Sequence, residues 1–217
     1  MNPYYPAYLD LRGRRCVVIG AGVIAERKVE GLLEAGAAVT VVSPEATDAV
    51  AGWAAEGRVG WERRGYQPGD LDGAWLAIAA TDDNPTNRAV HAEAEARRVL
   101  LNVVDVTELC SFIAPATASR GPVTVAISTG GASPALARKL RTQMGSDECR
   151  CLAWADAADV LAGARRELRA GGQKADPQTW QAAMDDELLA LVHGGREGEA
   201  RERLLTALRA GQPGYQG

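Results

Sequence analysis

The stretch Arg15-Cys16-Val17-Val18-Ile19-Gly20-Ala21-Gly22-Val23-Ile24-Ala25 decides the fold. Residues 15–20 form a short apolar run that reads as a strand. Val29, Leu32 and Leu33 then recur at helical spacing, with Gly36 as the stop. A Gly-x-Gly-x-x-Ala turn that leaves a strand and opens a helix is the dinucleotide fingerprint in its required context. Gly20 permits the tight turn, Gly22 lets backbone approach a pyrophosphate, and Ala25 keeps the helix close to the sheet. The helix N-terminus adds free N–H donors and the positive end of a dipole. The acid that binds the adenine ribose is expected about 20 residues on, at the end of the next strand. That strand, residues 38–43, runs into Ser43-Pro44-Glu45, and no Arg or Lys follows to meet a 2′-phosphate. The reading is therefore NAD rather than NADP. The competing reading is a glycine turn that binds nothing.

Composition sets the outer bounds. The 217 residues make one large domain or two small ones, long enough to bury about 70% of the unfolded surface. Apolar residues at 47% and charged residues at 24% exclude a disordered or fibrous chain. A net charge of −4 and a pI near 5.3 argue against a nucleic-acid binder. One Phe, five Trp and five Tyr are too few for a base-stacking platform. No apolar run approaches the ~20 residues of a membrane helix. The start Met1-Asn2-Pro3-Tyr4-Tyr5-Pro6 lacks the basic and apolar regions of a signal peptide. A cytoplasmic chain is expected, with Cys16, Cys110, Cys149 and Cys151 as reduced thiols. The cysteine spacing matches no structural zinc site, and Cys149-Arg150-Cys151 is expected to point its thiols to different helix faces.

Further along, residues 59–64 read as a weaker strand, and 74–80 and 99–104 as strands buried on both faces. Asp83 or Asn84 can cap a helix with Pro85 in its first turn. This alternation specifies an α/β fold with a Rossmann-like, doubly wound parallel sheet. The pattern then changes. Residues 111–115 and 123–128 are two short strand-like runs around Ala118-Ser119-Arg120-Gly121, suited to a hairpin or to pairing with a partner chain. Helices follow: one opening at Ser133-Pro134 and ending near Gly145, then others near 147–170, 177–192 and 196–210. Three segments are expected: 1–113 for the dinucleotide, 114–146 for dimerisation and substrate, and 147–217 as a helical domain. Gly214-Tyr215-Gln216-Gly217 reads as a loose end.

A second glycine turn, Ser128-Thr129-Gly130-Gly131-Ala132-Ser133-Pro134, joins a strand to a helix and offers N–H donors and hydroxyls to a carboxylate or phosphate. Between Glu108 and Asp147 there is no acid, while Arg120, Arg138, Lys139 and Arg141 add four positive charges. Arg138 and Arg141 share a helix face. Such a segment suits a multiply negative small substrate. A capped turn and a solvated helix face are the bland alternatives.

Asn102-Val103-Val104-Asp105 ends the last parallel strand, where carboxyl ends face the ligand crevice, so Asp105 stands where a base works. Thr81-Asp82-Asp83-Asn84 ends the preceding strand, and helix capping is the alternative for its acids. His91 lies within a helix and His193 at a helix end, which leaves no histidine-based triad.

Five motifs occur in order: Gly-x-Gly-x-x-Ala-Glu-Arg-Lys at 20–28, Ala-Ala-Thr-Asp-Asp at 79–83, Asn-Val-Val-Asp at 102–105, Ser-Phe-Ile-x-Pro-Ala at 111–116, and Ser-Thr-Gly-Gly-Ala-Ser-Pro-x-Leu-Ala-Arg at 128–138. Together, over residues 8–145, they resemble the precorrin-2 dehydrogenase family, including the N-terminal part of siroheme synthase. Ala21 stands where the family often has a third glycine, at a wildcard position. The resemblance implies oxidation of precorrin-2 to sirohydrochlorin with NAD, and in some members chelation of ferrous or cobalt ion. It implies a homodimer built from the middle segment and helical tail. It also implies catalysis by Asp105 and NAD contacts at Gly20, Gly22, Val23, Ile24, Ser43, Pro44, Glu45, Thr81, Asp82, Asn102 and Val103. The anionic tetrapyrrole would meet Ser128, Thr129, Gly130, Gly131, Arg138 and Arg120. Competing readings are another NAD oxidoreductase, a non-catalytic NAD-sensing module with a helical partner domain, and a chelatase with a vestigial loop.

Overall fold

The computed structural model describes residues 4–146 and 149–210. The chain divides between Ala114 and Pro115 into two compact units.

The first unit runs β1 (Arg15–Ile19), α1 (Val23–Glu34), β2 (Ala38–Val42), α2 (Asp48–Ala55), β3 (Val59–Glu62), β4 (Leu76–Ala79), α3 (Asn84–Arg97) and β5 (Leu100–Val103), then a 3-10 turn at Thr107–Leu109. The sheet order is β3-β2-β1-β4-β5 and every pair is parallel. Alternate strand residues serve opposite faces. Cys16, Val18, Val41 and Ile78 pack with Ala25, Val29 and Leu32 of α1, and Val17, Ile19, Ala79 and Leu101 pack with Val90 and Ala94 of α3. Burial on both faces is why these strands read as continuous apolar runs. This is the Rossmann-like doubly wound sheet that the sequence specifies. Helix α2 is an addition to that reading. Thr47 caps it, with Oγ1 accepting from Val50 N at 3.4 Å.

The expected strand at 111–115 is corrected. Ser111 N and Phe112 N both donate back to Leu101 O, at 2.9 and 3.3 Å, so this segment is a loop laid against β5.

The second unit begins with an antiparallel hairpin, β6 (Ala116–Arg120) with β7 (Val123–Ile127), turning at Gly121 in the left-handed region. Then come α4 (Pro134–Met144), a 3-10 segment (Arg150–Ala157), α5 (Ala158–Ala170), α6 (Pro177–Ala183), α7 (Asp186–His193) and α8 (Glu197–Ala210). Where one helix is expected near 177–192 there are two, because Asp185 caps α7 by accepting from Leu188 N at 2.9 Å. Leu168, Leu188, Leu204 and Leu208 form the core. The hairpin and α4 belong to the same compact unit as the later helices, whereas the sequence suggests a boundary at 146. The expected loose end at 214–217 lies outside the described residues.

The two neighbouring thiols are also corrected. Cys149 is the N-cap of a 3-10 segment rather than part of an α-helix, and its sulfur lies 2.7 Å from that of Cys151. Among the described residues, no helix is long and apolar enough to cross a membrane.

Candidate functional site

The strand order reverses direction at β1 and β4, and the crevice outside their carboxyl ends is where such sheets bind ligands. Gly20 closes β1 with φ +99°, and its N–H donates to Val42 O at 2.9 Å. A Cβ there would sit 2.4 Å from Ala80 O at the end of β4, so only glycine fits. Gly22 is the N-cap of α1 and supplies no side-chain cap, which leaves the first-turn N–H groups free to bind a ligand. A Cβ on Gly22 would meet nothing within 4 Å, so the backbone faces open space. Ala25 is fully buried against the sheet, while Val23 and Ile24 are 62% and 51% exposed.

The rims come from neighbouring strands. Ser43 is buried after β2, and its carbonyl accepts from Trp61 Nε1 at 2.9 Å. Pro44 and Glu45 are exposed beyond it. Arg63, after β3, stacks on Trp61 at 4.2 Å. After β4, Thr81 O accepts from Asn87 Nδ2 at 3.0 Å, and Thr81 Oγ1 accepts from Asp83 N at 3.1 Å. Asp83 caps α3 by accepting from Thr86 N at 3.2 Å, which leaves Asp82 exposed. Asn87 is 2% exposed and its Oδ1 is an orphaned acceptor. A glycine turn without a Cβ, uncapped amides and an exposed acid after β2 are the donor set and shape that fit a nicotinamide dinucleotide.

Asp105 is exposed and left-handed, with φ +61°, a conformation that needs local support outside glycine. The support is a network that sequence reasoning missed. Val103 N donates to Cys110 Sγ at 3.1 Å, and the thiol donates to Val103 O at 3.3 Å with Val106 O at 3.4 Å. Asn102 Nδ2 donates to Phe112 O at 3.1 Å, and Leu101 N donates to Ser111 Oγ at 2.7 Å. Burial pushes the Cys110 thiol pKa up, which keeps it a neutral donor. The signal available in sequence was a Cys-Ser pair just beyond the Asp105 loop. Asn102 and Val103 thus act first as struts. His91 Nδ1 lies 3.1 Å from Leu109 O, a structural contact.

In the second unit, Gly130 and Gly131 are left-handed at +62° and +87°. This turn takes up several of its own donors. Gly130 N bonds Ser128 Oγ (3.1 Å), Ser133 N bonds Thr129 Oγ1 (3.1 Å), and Leu136 N bonds the Ser133 cap (3.2 Å). Arg138, Lys139 and Arg141 are exposed on α4, and none has an acid partner among the described residues. Arg120 is held instead by Asp156, at 2.8 and 2.7 Å. His193 Nε2 shares that carboxylate at 3.0 Å. Arg120, and next His193, hold the Asp156 carboxyl below its ordinary pKa. A concavity of about 770 Å³ lies between α5 and α6, walled by Leu161, Arg165, Arg169, Lys174 and Trp180, and holds none of the expected site residues.

The family described as "Putative NAD(P)-binding" matches residues 7–116, about half of the chain. The chain belongs to this family. Residues 120–146 match a second family, described as "Sirohaem biosynthesis protein central". Among relatives, the siroheme synthase of Methylobacillus flagellatus is 52% identical over 139 residues, covering 64% of this chain and 30% of that one. That of Azotobacter vinelandii is 40% identical over 215 residues, covering 96% and 45%. That of Pseudomonas entomophila is 40% identical over 221 residues, covering 99% and 46%. The chain spans less than half the length of these relatives. A solved structure, "SirC, precorrin-2 dehydrogenase", aligns at TM-score 0.75 and 26% identity, over 94% of this chain and all of that one. The family match and the crevice agree on a nicotinamide cofactor.

Proposed function

We propose that this chain oxidises precorrin-2 to sirohydrochlorin in siroheme biosynthesis, with NAD as acceptor. The observation that carries the reading is the Gly20–Ala25 turn, pressed against β4 at the switch point with its helix amides uncapped. The match to "Sirohaem biosynthesis protein central" and the likeness to a precorrin-2 dehydrogenase support the substrate.

The first-turn amides of α1 hold the pyrophosphate, and Val23 and Ile24 lose their exposure under it. Glu45, exposed after β2, accepts from the ribose hydroxyls, which favours NAD. Arg63, just after the adjoining strand β3, favours the second reading, NADP, and titration with each dinucleotide separates them. The nicotinamide ring, when bound, supplies the acceptor for the hydride that leaves the macrocycle. Asp105 removes the accompanying proton. Cys110 and Asn102 keep that carboxylate in its left-handed turn. Arg138, Lys139 and Arg141 attract a substrate ringed by carboxylates. The chain works as a homodimer, in which a second copy covers Leu136 and Leu140, which are exposed on α4. A monomer on size exclusion at working concentration would count against that.

Asp105→Ala is the test of the chemistry. The rate of precorrin-2 oxidation should fall by about two to four orders of magnitude while NAD affinity holds. An equal loss of NAD affinity would make Asp105 a structural residue.

A further inference from the structure

Cys149 and Cys151 stand apart from the proposed reaction. The Cys149 sulfur lies 2.7 Å from the Cys151 sulfur and 3.4 Å from the Cys151 amide, which donates to it. Cys151 is exposed and Cys149 is half-buried, so the pair is reachable from solvent. The two other thiols are different. Cys16 is fully buried, and burial pushes its pKa up to about 11. Cys110 is tied into the β5 loop, with its pKa also raised by burial.

We propose that Cys149 and Cys151 are a reversible dithiol site, which a low-molecular-weight disulfide such as oxidised glutathione converts to an intramolecular disulfide. Cys149 is the nucleophile. Hydrogen bonds from the Cys151 thiol and amide hold its pKa below the ordinary value, and the same contact pushes that of Cys151 up. The Cys149 thiolate attacks one glutathione sulfur, the glutathione S–S bond breaks, and one glutathione leaves as a thiolate. Cys151 then gives up its proton, and its sulfur attacks Cys149 of the mixed disulfide and expels the second glutathione. Two protein thiols become one disulfide, and one glutathione disulfide becomes two thiols. In a reducing compartment this bond is transient, as suits a regulatory rather than a structural role. It closes just ahead of Asp156, the residue that joins Arg120 to His193.

The test is intact-mass and peptide mapping of the full chain after titration with oxidised glutathione. Wild type should lose two hydrogens, all of them from the 149/151 peptide, and regain them with excess reduced glutathione. Cys151→Ser should stop at a glutathione adduct on Cys149. Cys149→Ser should react about tenfold more slowly or less. Stable wild-type adducts, modification at Cys16 or Cys110 first, or an unchanged rate in Cys149→Ser would each overturn the proposal.

Discussion

Two glycine turns in this protein lead a strand into a helix, and they behave in opposite ways. The first, at Gly20–Ala25, is forced into place by backbone, since any side chain at Gly20 would strike Ala80 O. It caps its helix with glycine and so leaves the amides for a ligand. The second, at Ser128–Ser133, has room around Gly131 but uses the Ser128, Thr129 and Ser133 hydroxyls to satisfy its own N–H groups. The same sequence grammar therefore gives an open cradle in one unit and a self-contained turn in the other. What separates them is the cap residue. A serine at the cap position closes the donor set, and a glycine leaves it open.

Four substitutions sharpen or break this contrast. The largest effect is expected at Gly20. Gly20→Ala combines left-handed strain with a backbone clash and should cost on the order of 3 kcal/mol, read as a fall in denaturation midpoint, together with NAD binding. Gly131→Ala, with open space around it, should cost about 1–2 kcal/mol. Equal costs would remove the distinction. Next is Gly22→Ser, where the Cβ has space and the new hydroxyl can cap α1 as Ser133 caps α4. Stability should hold while calorimetry shows NAD affinity about tenfold weaker, the equivalent of about 1.4 kcal/mol. Unchanged affinity would mean that the first-turn amides do not bind the pyrophosphate. The smallest effect concerns Asp156. Its folded pKa is depressed by Arg120 and His193, so its contribution is present above the unfolded carboxylate value and is lost as pH falls through the folded one. Asp156→Asn should flatten that acid limb in urea unfolding of the second unit, and an unaltered limb would show that the cluster is inert.

The sheet was legible because strands buried on both faces leave unbroken apolar runs, and because Gly20, Gly22 and Ala25 follow one of them. The helix starts at Asp83 and Ser133 were legible from cap chemistry followed by proline. Phe112 and Ile113 looked like strand, but Leu101 O draws their segment back as a loop, a pairing across the chain that periodicity does not encode. The commitment of Arg120 to Asp156, 36 residues away, has no local signal either. The Cys110-Ser111 pair just beyond the Asp105 loop is a visible signal, but only the fold shows that it bonds back to β5 and braces that turn. In both sites, then, the sequence names the turn, and only the fold shows which of its N–H groups the surrounding structure takes up.

The most direct measurement mixes the purified protein with precorrin-2 and NAD, without metal, and follows the spectra in time. The account predicts that NADH and sirohydrochlorin appear one for one. NAD binding with neither product formed would contradict it and would make the Gly20 crevice a dinucleotide sensor rather than half of an enzyme.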